Sequence, residues 1–491
     1  MHPATTLRPS WILAAAIVAC AAGDTPATSE ADGSGAPERA GTGATAEMRG
    51  RADSTLAITD VTAIPMEGQP LPGATVVIRG DRILAFGPAA DVPVPVGARR
   101  IDGSGRFLLP GLVDAHVHLR SRRELLSYLR HGVTTVFQLA GTPSGAPDIL
   151  ETRRRIAAGE LVGPTIYATG PMIDGDPPNF AAVSVVVTSP DSAARVVERQ
   201  NRAGFDFLKI YNGVSPEVAV EVIAEGHRRG MPTFGHIPRN PDRATALQKA
   251  LGAGLDVIAH AEEMFFTYYH AGVEDMLDAG RVPVRDTARV DEAARLIRDA
   301  GAFVIPNLSF VAATRMQLDD LGRVLGDPET RFLHPDTRQM WEGQNPTRRP
   351  DLERFELRER AKHDFLRHLT KALAEHGVPL LAGTDASAPG LFPGRSLHLE
   401  LRELVDAGLS AEAALAAATR TPGAFVARHL PDGPPFGVIA PGARADLVLL
   451  RENPLEDIAR IGTVEGVVAG GRWYSVSEID ALRAAASDAA S

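Results

Sequence analysis

Short apolar runs alternate with helix-like segments through the middle of the chain, and this alternation most constrains the fold. The runs are continuous rather than broken by polar residues, as residues 132–136 and 205–208 show. Strands of this kind are buried on both faces, and their alternation with helices is typical of a parallel sheet covered by helices. About eight such units end with residues 378–383, so the sequence predicts an α/β fold built on a TIM-like (β/α)8 barrel.

Shorter β-type runs, separated by glycine and proline, lie near both ends of the chain. Residues 74–78 belong to the first set and residues 464–468 to the second. Each set is too small to enclose a core alone. The sequence therefore predicts one small β-sandwich domain built from residues 54–109 and 432–475, with the barrel at residues 110–431 between them.

The N-terminus has the pattern of an export signal. An apolar run, residues 11–19, is too short to span a bilayer but suits the core of a signal peptide, and Cys20 follows it. We expect a lipoprotein-type signal peptide at residues 1–19, with Cys20 as the lipid-bearing first residue; a plain secretory signal with an incidental cysteine is the alternative. Residues 20–53 are predicted to form a flexible tether. The expected location is the periplasmic or cell-surface side of a bacterial membrane.

Composition narrows the kinds of partner. Among 491 residues the formal net charge is −10, which argues against a nucleic-acid partner bound through a broad basic surface. Cys20 is the only cysteine, so neither an intramolecular disulfide nor a zinc site of several cysteines is available. Only four of the 51 lysines and arginines are lysines. A lysine at the end of a buried strand therefore calls for a chemical reason.

The segment Asp114-Ala115-His116-Val117-His118 carries the first candidate site residues. On a regular strand alternate side chains share a face, so Asp114, His116 and His118 are expected to point together into the mouth of the barrel. Two imidazoles two residues apart can bind one cation, as in many zinc sites. Taken alone, the pattern also fits ordinary strand histidines.

Four further side chains that bind metals or move protons fall at the ends of predicted strands: Lys209, His236, His260 and Asp385. Active sites of such barrels lie at the carboxyl ends of the strands, so these residues are expected to meet the two histidines of the first motif. A desolvated lysine can lose its proton and become a nucleophile, which arginine cannot do. Tyr211 is expected on the same face as Lys209, further out; an ordinary rim aromatic is the alternative.

These residues resemble the amidohydrolase superfamily over nearly the whole mature chain. Residues 110–118 are similar to its opening signature and residues 442–448 to its closing β-domain, while residues 397–401 and 413–419 match the stretch that commonly follows the last strand. The motif Lys209-Ile210-Tyr211 is most similar to the prolidase-like and imidazolonepropionase-related branch. The resemblance implies a binuclear metal centre with a carboxylated lysine.

The implied metal ligands are His116, His118, Lys209, His236, His260 and Asp385. The first two histidines would hold one divalent ion and the later two the second ion, with zinc the expected metal. Lys209, as a carbamate formed with carbon dioxide, would bridge both ions. Asp385 would also carry the proton, and Tyr211 would donate a hydrogen bond to the developing oxyanion.

The implied reaction is hydrolysis of an amide bond in a small substrate, such as a dipeptide or an N-acyl amino acid with a free carboxylate, by metal-activated hydroxide. A cyclic amide or lactone hydrolase or a deaminase on the same scaffold is one alternative. A solute-binding lipoprotein without catalysis is another. The oligomeric state is left open, and a homo-oligomer is compatible with the sequence.

The segment between His260 and Asp385 is about 65 residues longer than two barrel steps require. It includes an aromatic cluster formed by Phe265, Phe266, Tyr268 and Tyr269. Two interpretations of this cluster stay open, a helix packing face and a substrate wall.

Replacement of Cys20 by Ser tests the lipid anchor. Several acyl chains on one cysteine hold a protein stably at a membrane, so we expect the full chain in the membrane fraction of expressing cells and the C20S variant in the soluble fraction. Cell fractionation followed by immunodetection measures this. A wild-type protein already soluble in the periplasm or medium, or a variant that stays in the membrane pellet, would contradict the lipoprotein assignment.

Overall fold

The computed structural model describes residues 55–141, 148–238, 242–268, 276 and 287–488. The predicted signal peptide, Cys20, the tether and Tyr269 lie outside the described residues. Within the described part of the chain, no helix has both the length and the apolar character needed to cross a membrane.

The strands, numbered in chain order, are β1 Thr55–Ala63, β2 Leu71–Arg79, β3 Arg82–Pro88, β4 Arg99–Asp102, β5 Phe107–Pro110, β6 Leu112–Val117, β7 Val133–Gln138, β8 Thr165–Ala168, β9 Met172–Asp174, β10 Ser184–Val186, β11 Leu208–Ile210, β12 Thr233–Gly235, β13 Val257–Ile258, β14 Phe303–Val304, β15 Leu447–Leu450, β16 Val464–Ala469 and β17 Arg472–Ser475.

The α-helices are α1 Arg123–Arg130, α2 Ile149–Ala157, α3 Pro190–Ala203, α4 Pro216–Arg228, α5 Arg243–Gly252, α6 Glu262–Tyr268, α7 Thr287–Ala300, α8 Leu308–Leu325, α9 Pro335–Gln344, α10 Leu352–Glu375, α11 Arg395–Asp406, α12 Ala411–Ala417, α13 Arg420–His429 and α14 Val476–Asp488. Short 3₁₀ turns span Ala181–Val183, Pro328–Phe332, Pro346–Arg348 and Ile458–Gly462.

Local sequence sets the helix bounds, as α3 shows. The Ser189 hydroxyl accepts a hydrogen bond from the Ser192 backbone N–H in a capping box, and Pro190 occupies the first helical position. The helix ends at Gly204, whose φ of 88° suits a residue without a side chain.

The middle of the chain forms parallel pairings that return to their starting strand. β6, β7 and β8 pair in parallel, as do β11, β12, β13 and β14. Three isolated parallel bridges extend these pairings: Thr169–Phe207, Val304–Leu380 and Val117–Ala386. The seven strands and residues 380–386 thus follow one another in a closed parallel order, the order expected of the predicted (β/α)8 barrel.

The strands from the two chain ends form one hydrogen-bonded sheet rather than the two separate sheets of a sandwich. Its order is β17-β16-β15-β5-β1-β2-β3, and β4 pairs with β1 beside this path. The junction between the chain ends is the antiparallel pairing of β15 with β5, which places Leu447 opposite Pro110. Because β5 leads directly into β6, this sheet is joined to the first strand of the parallel ring.

A cluster of aromatic side chains fills the interior of the ring below the strand ends. It includes Phe137, Phe234 and Phe303 from three strands of the ring, Phe207 just before β11, and Phe425 from α13. The Phe425 ring lies 5.4 Å from that of Phe234 and 5.1 Å from that of Phe303, between ring centroids. Helix α13 therefore contributes a buried ring to the core inside the strands.

The regular alternation expected for β6 is wrong at its carboxyl end. Val113 and Ala115 pack in the inner aromatic cluster, whereas Val117 packs in the layer between strands and helices. The pairing register with β7 shifts between Asp114 and Val117. A register shift of this kind changes the direction of the side chains that follow it. Two consecutive residues, Ala115 and His116, therefore both face the ring interior, which regular alternation would not allow.

Truncation of Phe425 tests the core inside the ring. We expect Phe425→Ala to lower the free energy of unfolding by about 3–5 kcal/mol, because the fully buried ring leaves a cavity, and Phe425→Leu to cost less. Urea unfolding followed by circular dichroism measures the change. Leu84→Ala is the control, since Leu84 is 46% exposed. Equal stability of the two Phe425 variants and the wild type would contradict this packing role.

Candidate metal centre

One cavity of about 80 Å³ lies at the carboxyl ends of the parallel strands. Seven of the eight candidate residues from the sequence line it, Asp114 being the exception: His116, His118, Lys209, Tyr211, His236, His260 and Asp385. Its other lining residues are Arg120, Met172, Phe180, Glu262, Asn307, Phe310, Met340, Gln344, Ala388 and Pro389. Residues from distant parts of the chain meet here because they lie at or just beyond the carboxyl ends of several strands of the ring.

Three of these side chains form a compact group able to hold a cation. His118 Nε2 lies 2.7 Å from Asp385 Oδ1, and His116 Nε2 lies 3.6 Å from the same oxygen. Potential ligand atoms of His116, His118 and Asp385 all lie within 4.8 Å of one another. Two imidazole nitrogens and one carboxylate oxygen are a donor set that suits zinc and similar divalent ions.

The other two histidines continue the same cluster. Ring centroids of His116 and His260 are 4.6 Å apart, and those of His260 and His236 are 4.7 Å apart. His236 Nδ1 lies 2.7 Å from Glu263 Oε1, and His260 Nδ1 lies 2.7 Å from Asn307 Oδ1. When Nδ1 donates to such a partner, the lone pair of Nε2 is left for a metal ion.

The sequence argument missed Glu263 and Asn307. Asn307 lies three residues beyond the end of β14, so the rule that located the other residues at strand ends also applied to it. Glu263 lies in α6, and no local pattern distinguishes it from other helical glutamates.

Lys209 is 1% exposed, and its Nζ has no hydrogen-bond partner among the described residues. Burial lowers the pKa of Lys209 to about 7, although the charges of Asp385 and Glu263 oppose the shift. A neutral amine is therefore available near neutral pH. This state is required for reaction with carbon dioxide, and arginine could not provide it.

Burial also sets the protonation of the other site residues. Burial, together with Lys209 and neighbouring histidines, holds the pKa of His116 well below its usual range, and burial and His236 lower that of His260 to about 4. Burial alone would raise the pKa of Asp385, but the nearby His118 and other basic groups keep it below the ordinary value. Lowered pKa values at His116 and His260 favour neutral imidazoles there, the form that binds a divalent cation.

Backbone contacts hold Asp385 in an uncommon conformation. Its φ is 65°, in the left-handed region, and its N–H donates to the His116 carbonyl oxygen at 2.8 Å.

Asp114 lies behind the cavity and accepts hydrogen bonds from the Thr384 N–H at 3.0 Å and hydroxyl at 2.7 Å. The indole N–H of Trp341 donates to the Ser387 carbonyl at 3.1 Å. Asp114 thus holds the strand end rather than sharing the cavity with the histidines.

Tyr211 lines the cavity two residues beyond Lys209. Its ring centroid is 4.3 Å from that of His236 and 5.4 Å from that of Phe180. The ring therefore packs as a rim aromatic while it borders the histidine cluster.

The long segment after His260 contributes to the cavity through other residues than its aromatic cluster. Phe265 is 1% exposed and packs against Phe365, with 5.7 Å between ring centroids. Neither Phe265, Phe266 nor Tyr268 lines the cavity, so for these described residues the packing-face interpretation holds. Within this long segment, Phe310 and residues of α9 line the cavity instead.

Comparison with known proteins identifies the relationship behind this geometry. The model of the amidohydrolase family matches residues 107–474. The chain belongs to the amidohydrolase family. This family membership makes the protein a hydrolase that acts on carbon–nitrogen bonds.

Two relatives cover most of this family member. Ochratoxinase of Aspergillus niger is 26% identical over 436 residues, which cover 80% of this chain and 81% of that protein. The solved structure of a bottromycin amidohydrolase is 26% identical, with a TM-score of 0.68, and the match covers 91% of this chain and 94% of that one.

Other similarities are more limited. A putative prolidase from Bifidobacterium longum is 24% identical with a TM-score of 0.65, covering 88% of this chain and 99% of that one, and shows a shared fold. An adenine deaminase of Rubrobacter xylanophilus is 35% identical over 107 residues, which cover 22% of this chain. This chain thus spans only 17% of that deaminase's length.

Replacement of Asn307 by Gly tests the support of His260. Glycine tolerates the backbone at position 307, where φ is 55°, while the amide that contacts His260 is lost. We expect metal affinity to fall by about 10–100-fold, as measured by competition with a chromogenic chelator. Asn201→Ala in the exposed end of α3 is the control. Unchanged metal affinity in the Asn307 variant would show that the contact does not orient a ligand.

Proposed function

We propose that this amidohydrolase cleaves an amide bond of a small substrate with a free carboxylate, a dipeptide or an N-acyl amino acid. The observation that carries the proposal is the convergence of four imidazoles, Lys209 and Asp385 in one cavity at the strand ends. Buried neutral nitrogen donors around a carboxylate have little use in a solute-binding protein. They are the groups that a metal-dependent hydrolase requires.

In this proposal His116 and His118 hold one divalent ion, and His236 and His260 hold a second. Zinc fits the nitrogen and oxygen donors. Addition of carbon dioxide to the neutral Nζ of Lys209, with loss of one proton to solvent, would give a carbamate that could serve as a further anionic ligand. When bound, the ions supply a hydroxide near neutral pH and polarise the substrate carbonyl.

Asp385 and Tyr211 are assigned the proton and the oxyanion. The carboxylate of Asp385, oriented by the His118 contact at 2.7 Å, accepts the proton of the attacking water and delivers it to the departing amine nitrogen. The Tyr211 hydroxyl, at the cavity edge, donates a hydrogen bond to the oxygen that gains charge.

Arg120 is the reason for proposing a carboxylate on the substrate. It lines the cavity, and its Nε is buried without a hydrogen-bond partner among the described residues. Burial lowers the pKa of Arg120, and the charges of Glu124, Asp385 and Asp336 only partly oppose the shift, yet a guanidinium stays protonated in proteins. A partly buried guanidinium of this kind is stabilised by an anion, and a carboxylate matches its planar donors.

A ring-opening hydrolase or a deaminase is the second candidate. Its support is local, since an imidazolonepropionase of Micrococcus luteus is 44% identical over 62 residues, 13% of this chain. The same arrangement of ligands would serve hydrolysis of a cyclic amide, a lactone or an amino-substituted ring.

We also propose that the enzyme works at the periplasmic or cell-surface side of a bacterial membrane, anchored by lipid at Cys20. The support is the apolar run before Cys20 and the tether composition after it. Its partner is then a small-molecule substrate outside the cytoplasm rather than a nucleic acid.

The test of the proposed reaction is metal analysis joined to a substrate screen. The full chain, produced with zinc and bicarbonate, is expected to hold two metal ions and to hydrolyse dipeptides or N-acyl amino acids faster than lactones or adenine. Lys209→Arg is expected to abolish turnover, whereas short carboxylic acids should partly restore Lys209→Ala by filling the vacated bridge.

Three results would each count against this proposal. Less than one metal ion per chain would exclude the binuclear centre. Full activity of Lys209→Arg would exclude carboxylation. Turnover confined to lactones or ring amines would favour the second candidate.

A further inference from the structure

The cavity wall carries a second charge besides that of Arg120. Glu262 lines the same cavity and begins α6, two residues after His260. Its side chain is 25% exposed, whereas the carboxylate of Glu263 beside it is buried against His236. Neighbouring glutamates in one helix therefore face different surroundings, and Glu262 is the one that borders the cavity.

A buried lysine holds Glu262 in place. Lys362 Nζ in α10 lies 3.2 Å from Glu262 Oε2 and 2.8 Å from Glu359 Oε2. The side chains of Lys362 and Glu359 are 6% and 2% exposed. Burial opposes the charge of Lys362, but Glu359 and Glu262 raise its pKa above the ordinary value. This lysine therefore stays an ammonium and fixes one oxygen of Glu262.

The ion pair leaves Glu262 able to accept further hydrogen bonds. An ionised carboxylate has about four acceptor positions on two oxygens, and the contact with Lys362 uses one oxygen. Glu359 has a second basic neighbour, since Arg358 Nε lies 3.6 Å from its Oε1. Lys362 and Arg358 balance negative charge on the side of this ion-pair group that faces away from the cavity. Glu262 presents an ordered carboxylate on the side that faces the cavity.

Arg120 and Glu262 lie on different sides of the strand ring. Arg120 follows β6 and Glu262 follows β13, with β14 and residues 380–386 between these strands in the pairing order. A dipeptide has an ammonium at one end and a carboxylate at the other, with the amide between them. A cation-binding and an anion-binding group on separate sides of the histidine cluster match this charge pattern.

We propose that Glu262 binds the free ammonium group of the substrate, so that the cavity selects dipeptides over N-acyl amino acids. This inference rests on the proposed amide hydrolysis and narrows its substrate class. Lys362 is the positioning residue that orients the Glu262 carboxylate through their ion pair. The assignment gives the second buried lysine of this lysine-poor chain a function distinct from that of Lys209.

The test uses two substrates that differ only in the ammonium group. Phenylalanylalanine is compared with 3-phenylpropanoyl-alanine, in which hydrogen replaces that group. The wild type is expected to prefer the dipeptide in kcat/KM by roughly 10–100-fold, the range for a hydrogen bond between charged groups. Glu262→Gln is expected to remove this preference, mainly by raising KM for the dipeptide.

A matched control separates this effect from general loss of charge. Glu217 forms an exposed ion pair with Lys249 at 3.0 Å, so Glu217→Gln removes a glutamate from a Glu–Lys pair outside the cavity and is expected to leave the preference intact. Thermal unfolding checks that each variant folds. Equal wild-type rates on the two substrates, or an equal loss on both in Glu262→Gln, would overturn the proposal.

Binding separates this proposal from the proposed reaction. Failure to hydrolyse either substrate would refute the reaction for this pair, and calorimetry with phenylalaninamide and 3-phenylpropanamide then decides the ammonium site. The cationic amide is expected to bind the wild type at least about tenfold more tightly than the neutral one, and the variant is expected to lose that difference. Equal binding of the two amides by the wild type would overturn the ammonium site.

Discussion

The exclusion of water from a cluster of basic nitrogens is the constraint on which this structure depends. Four imidazoles and the Lys209 amine share a small cavity with the carboxylate of Asp385. In water the amine would be charged, but burial brings its pKa to about 7. Such a group of donors is costly to assemble, and the backbone contacts of Asp385 and the bonds between Asp114 and Thr384 hold it together.

The two buried lysines show how surroundings divide the same side chain between opposite roles. Lys209 has no hydrogen-bond partner among the described residues, so burial favours its neutral form. Lys362 is also buried but contacts Glu359 and Glu262, so it keeps its charge. In the proposed reaction Lys209 acts as a nucleophile, whereas Lys362 holds an acidic group at the cavity wall.

The ring of parallel strands and the long segment between His260 and Asp385 form different parts of the cavity. Successive strands deliver the histidines and Lys209 at one end of the ring, while Phe425 and the inner phenylalanines fill the interior below them. The chain after β14 adds Phe310 and α9, and Trp341 of that helix bonds the Ser387 carbonyl beside the Asp385 turn. The candidate catalytic groups therefore lie at the strand ends, and the long segment after His260 shapes the cavity wall.

The sequence by itself determined the alternation of buried strands with helices and the residues that end those strands, because hydrophobic periodicity and side-chain chemistry are local properties. These local patterns are therefore enough to predict Lys209, His236, His260 and Asp385 as site residues. Only the tertiary structure decided the register shift in β6, the contacts of Asn307 and Glu263 with the histidines, and the pairing of Glu262 with Lys362. These features join residues up to 100 positions apart, and their protonation depends on burial, which no local pattern in the chain specifies.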